Sequence, residues 1–405
     1  LFSVKEKFYW DRYKNIVFCS KILRTGSYYI YRLNHHKEKE SILPLYNRLS
    51  NKPIVGFAIP TFYFYEHVKL FYDRVYNNSD KYIPIILGPT LDPHIVKKTS
   101  YEKIFKDNYN LEYYYNIIPH PWAFKLPLKL ILETSLNSYG IDACTPRVMY
   151  AHGMAALGFS KDYYSIKYIQ KHKALLLVGA MQKKALEIAA KYYNVKLPPM
   201  YEIGYLRGDM LLELSQGYDR SKFLNQYGLE NLPVVTYAPT WGFFSSLDSW
   251  FDTVVSYVSQ MDVNLILRLH PLTIRGKNGL IWKEKIEQIL KQSKRIRVAW
   301  NDNIDDILLS TDVLITDVSG LGIEFMALGK PVSFLPAPLY FKLYGYNRPE
   351  NWILPSPIIN NGDALKRSIK NQLRDNTPLL DSNELVYNRS KSLDAMLNVI
   401  ELLTD

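Results

Sequence analysis

From residue 53 onward the chain alternates short apolar runs with amphipathic stretches, punctuated by Gly, Pro, Ser and Asp. Strands alternating with helices at this spacing predict a parallel, doubly wound α/β sheet whose chemistry sits at the strand ends. The first strand candidates are residues 53–58, 83–87, 113–118, 147–150 and 174–178, with helical spacing at 65–76, 126–136 and 180–193. A polar stretch, 216–231, carrying Gly217 and Gly228, reads as a hinge. The alternation then restarts, with strands at 232–237, 263–268, 295–299, 313–316 and 331–335. A chain of 405 residues suits two domains of roughly 200 residues each. The boundaries fall at 51–220 and 221–405, behind a lead-in of 1–50. Helical stretches at 364–373 and 385–403 form a tail placed to pack back across the hinge.

The turn after the strand at 313–316 is the most suggestive. Asp317, Ser319, Gly320 and Gly322 separate that strand from helical spacing that resumes at Ile323. A helix starting near Ser319 presents unpaired N–H groups and the positive end of its dipole, and glycine lets a phosphate approach the main chain. Glu324, one turn in, is placed to meet hydroxyls attached to the same phosphate, so the pattern suggests a nucleotide diphosphate. The plainer alternative is an ordinary βα turn with Ser319 as its N-cap.

Other strand ends carry polar groups too. His152, followed by Gly153, closes the strand at 147–150, and an imidazole with a pKa of about 6.5 suits a general base. Arg207 lies in a turn-rich strand exit, Gly204-Tyr205-Leu206-Arg207-Gly208-Asp209. Thr240 and Trp241 follow another strand. Arg268 and His270, two apart, point to the same side and suit a phosphate; pairing of Arg268 with a carboxylate at the sheet edge is the alternative. Asp305 and Asp306 read as the first turn of a helix, where carboxylates suit the dipole.

The formal charge of +11, from 50 Lys and Arg against 39 Asp and Glu, implies an anionic partner. Residues 1–40 hold nine Lys/Arg against four Asp/Glu among Phe8, Tyr9, Trp10, Tyr13, Tyr28, Tyr29 and Tyr31. Such a mixture suits an anionic membrane surface, or a solvated helical lead-in whose aromatics pack on the main body. No nucleic-acid motif or zinc spacing appears. No apolar run approaches the roughly 18 residues of a membrane span, and charges interrupt the only candidate secretory signal. Cys19 and Cys144 are too few for a disulfide framework, which fits a reducing cytoplasm. Leu1 in place of Met is the mark expected of a trimmed or partial chain.

The ordered series Ala151-His152-Gly153, Gly204 to Asp209, Tyr237-Ala238-Pro239-Thr240-Trp241, Arg268-Leu269-His270-Pro271, Thr316-Asp317-Val318-Ser319-Gly320 and Gly329-Lys330-Pro331 resembles the CDP-glycerol glycerophosphotransferase family. These enzymes build teichoic acids and similar capsules. The similarity covers roughly residues 50–340. It implies the GT-B fold, two Rossmann-like α/β lobes with doubly wound parallel sheets and a central cleft: an N-terminal acceptor lobe and a C-terminal donor lobe. Carried over by position, His152 is the family's acceptor-side base and His270 its donor-side histidine on the pyrophosphate. Thr240, Arg268, Asp317, Ser319, Gly320 and Glu324 fall on the donor side, and Gly153 and Arg207 on the acceptor side. Two departures lie near the donor: Trp241 is followed by Gly242-Phe243-Phe244 rather than Arg-Asp, and Gly320 replaces a second serine.

The expected activity is transfer of a polyol phosphate from a CDP-activated donor to a hydroxyl of a glycan or lipid-linked acceptor. The expected place is the inner face of the cell membrane, bound peripherally. No clustered carboxylates or His/Cys ligands stand out, so no metal or other cofactor is expected. Rival readings are a GT-B glycosyltransferase using CMP-sialic acid, CMP-Kdo or a UDP-sugar, a sugar-nucleotide 2-epimerase, and a non-catalytic lobe pair that binds polymer.

Overall fold

The computed structural model describes residues 52–59, 62–78, 81–87, 106–107, 117–118, 128–134, 145–150, 163–242, 245–275, 278–300, 303–339, 359–375 and 385–404. Its two sheets are parallel throughout. The first contains β1 (Ile54–Ala58), β2 (Ile83–Leu87), β3 (Ile117–Ile118), β4 (Leu128–Glu133), β5 (Arg147–Tyr150), β6 (Ala174–Leu177) and β7 (Met200–Glu202), in the order β3-β2-β1-β4-β5-β6-β7. The second contains β8 (Val234–Tyr237), β9 (Asn264–Leu267), β10 (Ile296–Val298), β11 (Val313–Thr316) and β12 (Val332–Phe334), in the order β10-β9-β8-β11-β12. Helices on both faces force the strands to be apolar on both sides, and β1, β6, β8, β9 and β11 are buried along their whole length.

Each sheet has one place where the chain, having wound outward, returns and winds the other way. In the first it lies between β1 and β4, and in the second between β8 and β11. Such switch points open a crevice beyond the carboxyl ends of the strands.

The first lobe carries α1 (Lys69–Asn78), α2 (Tyr163–Ile169), α3 (Ala180–Tyr193) and α4 (Leu206–Ser215). The second carries α5 (Arg220–Tyr227), α6 (Leu247–Val258), α7 (Pro271–Arg275), α8 (Gly279–Leu290), α9 (Ile304–Ser310), α10 (Gly320–Ala327) and α11 (Gly362–Asp375). The polar stretch expected as a hinge holds α5, capped by Asp219 and ended by Gly228 at φ 57°. Phe223 and Leu224 of α5 pack with Val234 and Ile266, so α5 belongs to the second lobe.

One expected helix is a strand. Residues 126–136 contain β4, which fills the central slot between β1 and β5. Leucine-rich runs favour helix by propensity, but a short apolar run does not distinguish the two, and the slot decides. Leu130, Ile131 and Leu132 are fully buried there on both faces of the sheet. The expected strand at 113–118 is described only at Ile117–Ile118.

The last helix, α12 (Ser392–Thr404), returns to the first lobe. Met396, Ile400 and Leu403 join a core with Val55 and Leu130. Lys173 Nζ donates to Leu403 O at 2.7 Å, and Thr404 Oγ1 to the Tyr82 hydroxyl at 3.0 Å. Asp209 fastens the start of the helix. Its carboxylate accepts from Ser390 N at 2.7 Å, Ser392 N at 2.9 Å and the Ser392 hydroxyl. Gly204, at φ 104°, lets the tail pass closely, since a Cβ there would lie 2.2 Å from Tyr387 O. No helix among the described residues is long and apolar enough to cross a membrane.

Loss of a carboxylate cap costs about 0.5–2 kcal/mol. Asp209→Ala is therefore expected to lower the unfolding free energy by that amount, read as a lower urea midpoint at an unchanged m-value, and an unaltered midpoint would show that the tail docks by apolar contact alone.

Candidate functional site

Three loops meet at the carboxyl edge of the second sheet: Ala238 to Ser246 after β8, Arg268 to His270 after β9, and Asp317 to Ser319 after β11. Asp317 locks two of them together. Its carboxylate is fully buried and accepts from Thr240 N at 2.9 Å and from both Ser246 N and the Ser246 hydroxyl at 2.8 Å. Burial pushes its pKa up, opposed by these donors. Thr316 Oγ1 donates to Ala238 O at 2.6 Å, and Tyr237 shares a 3.0 Å hydrogen bond with Ser246. Thr240 thus reaches its place at the switch point through an internal carboxylate.

Ser319 caps α10, its hydroxyl accepting from Leu321 N at 3.3 Å, and Gly320 opens the helix. Gly322 answers to packing. A Cβ there would meet Phe334 at 2.6 Å and Thr316 at 2.8 Å, so the glycine seats α10 on the sheet. The plain N-cap and the anion-facing helix start are therefore one geometry.

Arg268 and His270 lie just beyond β9, whose last residue is Leu267. The alternation continues past the strand end, with Leu269 buried and both neighbours half-buried. Arg268 Nη1 donates to Leu269 O at 2.8 Å. His270 Nδ1 accepts from Leu272 N at 3.1 Å, which leaves the ring proton on Nε2. The Trp241 ring lies 6.1 Å from the imidazole.

Arg207 and Glu324, read as facing opposite substrates, meet each other. Arg207 Nε donates to Glu324 Oε2 at 3.4 Å and Nη2 to Asp305 Oδ1 at 2.5 Å, while Nη1 is 3.8 Å from Glu66 Oε2. Burial raises the Glu324 pKa, countered by Arg207 and by a hydrogen bond from Tyr205. For Arg207 burial disfavours the charge, and Glu324, Tyr205, Asp305 and Glu66 together outweigh it. Asp305 and Asp306 occupy the first turn of α9, as their sequence position suggested.

Lys330 is used inward. Its Nζ donates to Leu308 O, Leu309 O and Thr311 O at 3.0, 2.7 and 2.9 Å, capping the end of α9, and burial lowers its pKa to about 8. His152 and Gly153 lie outside the described residues. The strand leading to them ends at Tyr150, whose hydroxyl accepts from Leu206 N at 3.0 Å and donates to Gly204 O at 3.2 Å. Glu66, Tyr205 and Asp305 join the lobe junction without any local sequence signal that pairs them with Arg207. Among the described residues no three His, Cys, Asp or Glu side chains come together to hold a metal ion.

His270 has its pKa lowered from 6.5 to about 4, first by burial and second by the charge of Arg268. The unfolded chain therefore binds this proton first as pH falls. The stability associated with a neutral His270 is full above about 6.5 and is lost towards about 4. His270→Gln is expected to flatten the acid limb of a urea-midpoint profile across that window; an unchanged slope would assign the loss to other groups.

The family model for CDP-glycerol:poly(glycerophosphate) glycerophosphotransferases matches residues 134–394, so the similarity reaches past 340 into the tail. A teichoic acid glycerol-phosphate transferase of Staphylococcus aureus (strain NCTC 8325 / PS 47) is 22% identical over 293 residues, 67% of this chain and 70% of its own length. A teichoic acid poly(glycerol phosphate) polymerase of Bacillus spizizenii is 26% identical over 182 residues, 42% of this chain and 43% of its own. Among solved structures, the wall teichoic acid polymerase TagF soaked with CDPG matches with a TM-score of 0.60 at 15% identity, covering 95% of this chain and 97% of that one. A UDP-GlcNAc 2-epimerase of Methanocaldococcus jannaschii matches at 0.57 and 12% identity, covering 87% and 100%. These structures support the two-lobed GT-B fold. Its family match spans more than half of the chain and almost all of the second lobe, and the chain is a transferase belonging to the CDP-glycerol:poly(glycerophosphate) glycerophosphotransferase family.

Proposed function

We propose that this chain transfers glycerol phosphate, or a related polyol phosphate, from a CDP-activated donor to a hydroxyl of a glycan or lipid-linked acceptor in the synthesis of a teichoic-acid-like polymer. One arrangement carries the reading. Thr240, Arg268, His270 and the Ser319 start of α10 gather at the carboxyl edge beside the β8/β11 switch point, where a doubly wound sheet binds an anionic ligand. The family match and the CDPG bound by TagF favour a cytidine diphosphate ligand over a nucleotide sugar.

The acceptor oxygen attacks the β-phosphorus. A new P–O bond forms, the bond from that phosphorus to the bridging oxygen breaks, and its electron pair leaves with CMP. His152 takes the acceptor proton, with Gly153 beside it. Charge on the transferring phosphoryl group and on the departing CMP is met by Arg268, by the His270 Nε2–H and by the main-chain N–H groups around Gly320. Asp317 is assigned to holding the donor loop, and Glu324 to the ion pair with Arg207. Positive potential from these groups serves where a metal otherwise would. The basic, aromatic lead-in binds an anionic membrane surface, which places the enzyme peripherally on the inner face.

The test is nucleotide release by the purified protein offered CDP-glycerol, CDP-ribitol, CMP-sialic acid, CMP-Kdo or UDP-sugars with an acceptor extract. CMP released only from a CDP-polyol is the expected result; release from a sugar nucleotide overturns the phosphotransferase reading. His152→Ala is expected to lower turnover by roughly 10²–10⁴-fold with donor binding retained. Turnover is expected to survive EDTA, and its loss would refute the metal-free assignment.

A further inference from the structure

Arg207 is 4% exposed and stands where the lobes touch. It projects from α4 of the first lobe to Asp305 on α9 and Glu324 on α10 of the second. We propose that Arg207 is a positioning residue that fixes the mutual setting of the two lobes, rather than a group that binds acceptor.

Four observations carry this. The arginine is enclosed by three carboxylates, Glu66, Asp305 and Glu324, which leaves it little surface for an acceptor. Among the described residues its Nη1 has no hydrogen-bond partner, so the guanidinium is held by the geometry of the junction and not by saturation of its donors. The apolar cluster around it is continuous from Tyr205 and Leu206 to Leu308, Ile323 and Phe325, and such contact is non-directional. A planar guanidinium forked between two helices of the other lobe supplies the direction that apolar contact lacks.

Arg207 also stands between the two reacting halves. On its own side, Leu206 N donates to Tyr150, the last residue of the strand that leads to His152. On the far side, Glu324 lies on the helix capped by Ser319. The end of β5 and the helix that Ser319 caps are thus joined at this junction. Without it, the acids of both lobes face one another unneutralised.

The inference rests on the proposed reaction for its kinetic arm alone. Spin labels at the exposed positions Lys184 and Lys291, one on each lobe, in a background with Cys19 and Cys144 replaced by serine, report the lobe separation directly. A single narrow distance is expected in the parent and a broadened distribution in Arg207→Gln. Arg207→Lys, which keeps the charge without the fork, is expected to recover folding but not the narrow distance. With CDP-glycerol, Arg207→Lys should lower kcat by roughly 10²-fold, the scale of an ångström misplacement, at unchanged KM for donor and acceptor. An unchanged distance distribution, or a raised acceptor KM with kcat intact, overturns the proposal. Should the Arg207 variants not fold, Asp305→Asn decides on the same two readouts. A parent that releases no CMP counts against the reaction, and the distance measurement then judges the positioning role alone.

Discussion

A buried carboxylate organises the edge of the second sheet. Asp317 sits at the end of β11, on one side of the switch point, and three of its hydrogen bonds come from the loop that leaves β8 on the other side. Placing a carboxylate in the interior is unfavourable unless donors surround it, and here the main chain of Val318 in its own turn joins the donors of the loop being held. The loop has little alternative to this path. Thr240, Trp241 and the start of α6 follow from it, and the place of His270 beside Trp241 depends on it in turn.

The Gly204 to Asp209 turn does similar work between larger pieces. Three residues within six positions meet three parts of the molecule. Gly204 admits the returning tail, Arg207 reaches the second lobe, and Asp209 caps α12. Tyr150 adds a fourth connection, from the strand leading towards His152. A motif of this kind is constrained by geometry from several directions at once, which explains why glycine, arginine and aspartate stand so close together without forming a ligand site of their own.

Much of this was legible in the sequence because periodicity and turn chemistry are local. The strands β1, β2, β5, β6, β8, β9 and β11, the N-cap at Ser319 and the acidic first turn at Asp305 and Asp306 all follow from neighbours a few residues apart. The parts that were not legible depend on distant partners. β4 took its strand form from the slot between β1 and β5, against the helical preference of its leucines. Arg207 and Glu324, each suited to a substrate when read singly, lie 117 positions apart in sequence and meet as an ion pair. Gly322 looked like space for a phosphate and proved to be space for Phe334. Lys330, singled out only within Gly329-Lys330-Pro331, caps a helix through carbonyls that its neighbours do not reveal.

These inward uses shape the field at the strand edge. Asp317 faces the loop donors, while Glu324 and Asp305 face Arg207, so these three carboxylates have internal donors. The edge also carries Arg268, the start of α10, and a histidine kept neutral by burial and by that same arginine. A neutral His270 is compatible with Arg268 at close range where an imidazolium would be repelled, and its Nε2–H still donates to an oxygen anion. Such an edge discriminates by charge and hydrogen-bond direction together. A diphosphate offers several oxygen anions to these donors, and a nucleotide stripped to a neutral sugar offers none. In the proposed reaction the same arrangement would favour departure of CMP, because groups holding the diphosphate before transfer would already stand where negative charge grows as the bridging bond breaks.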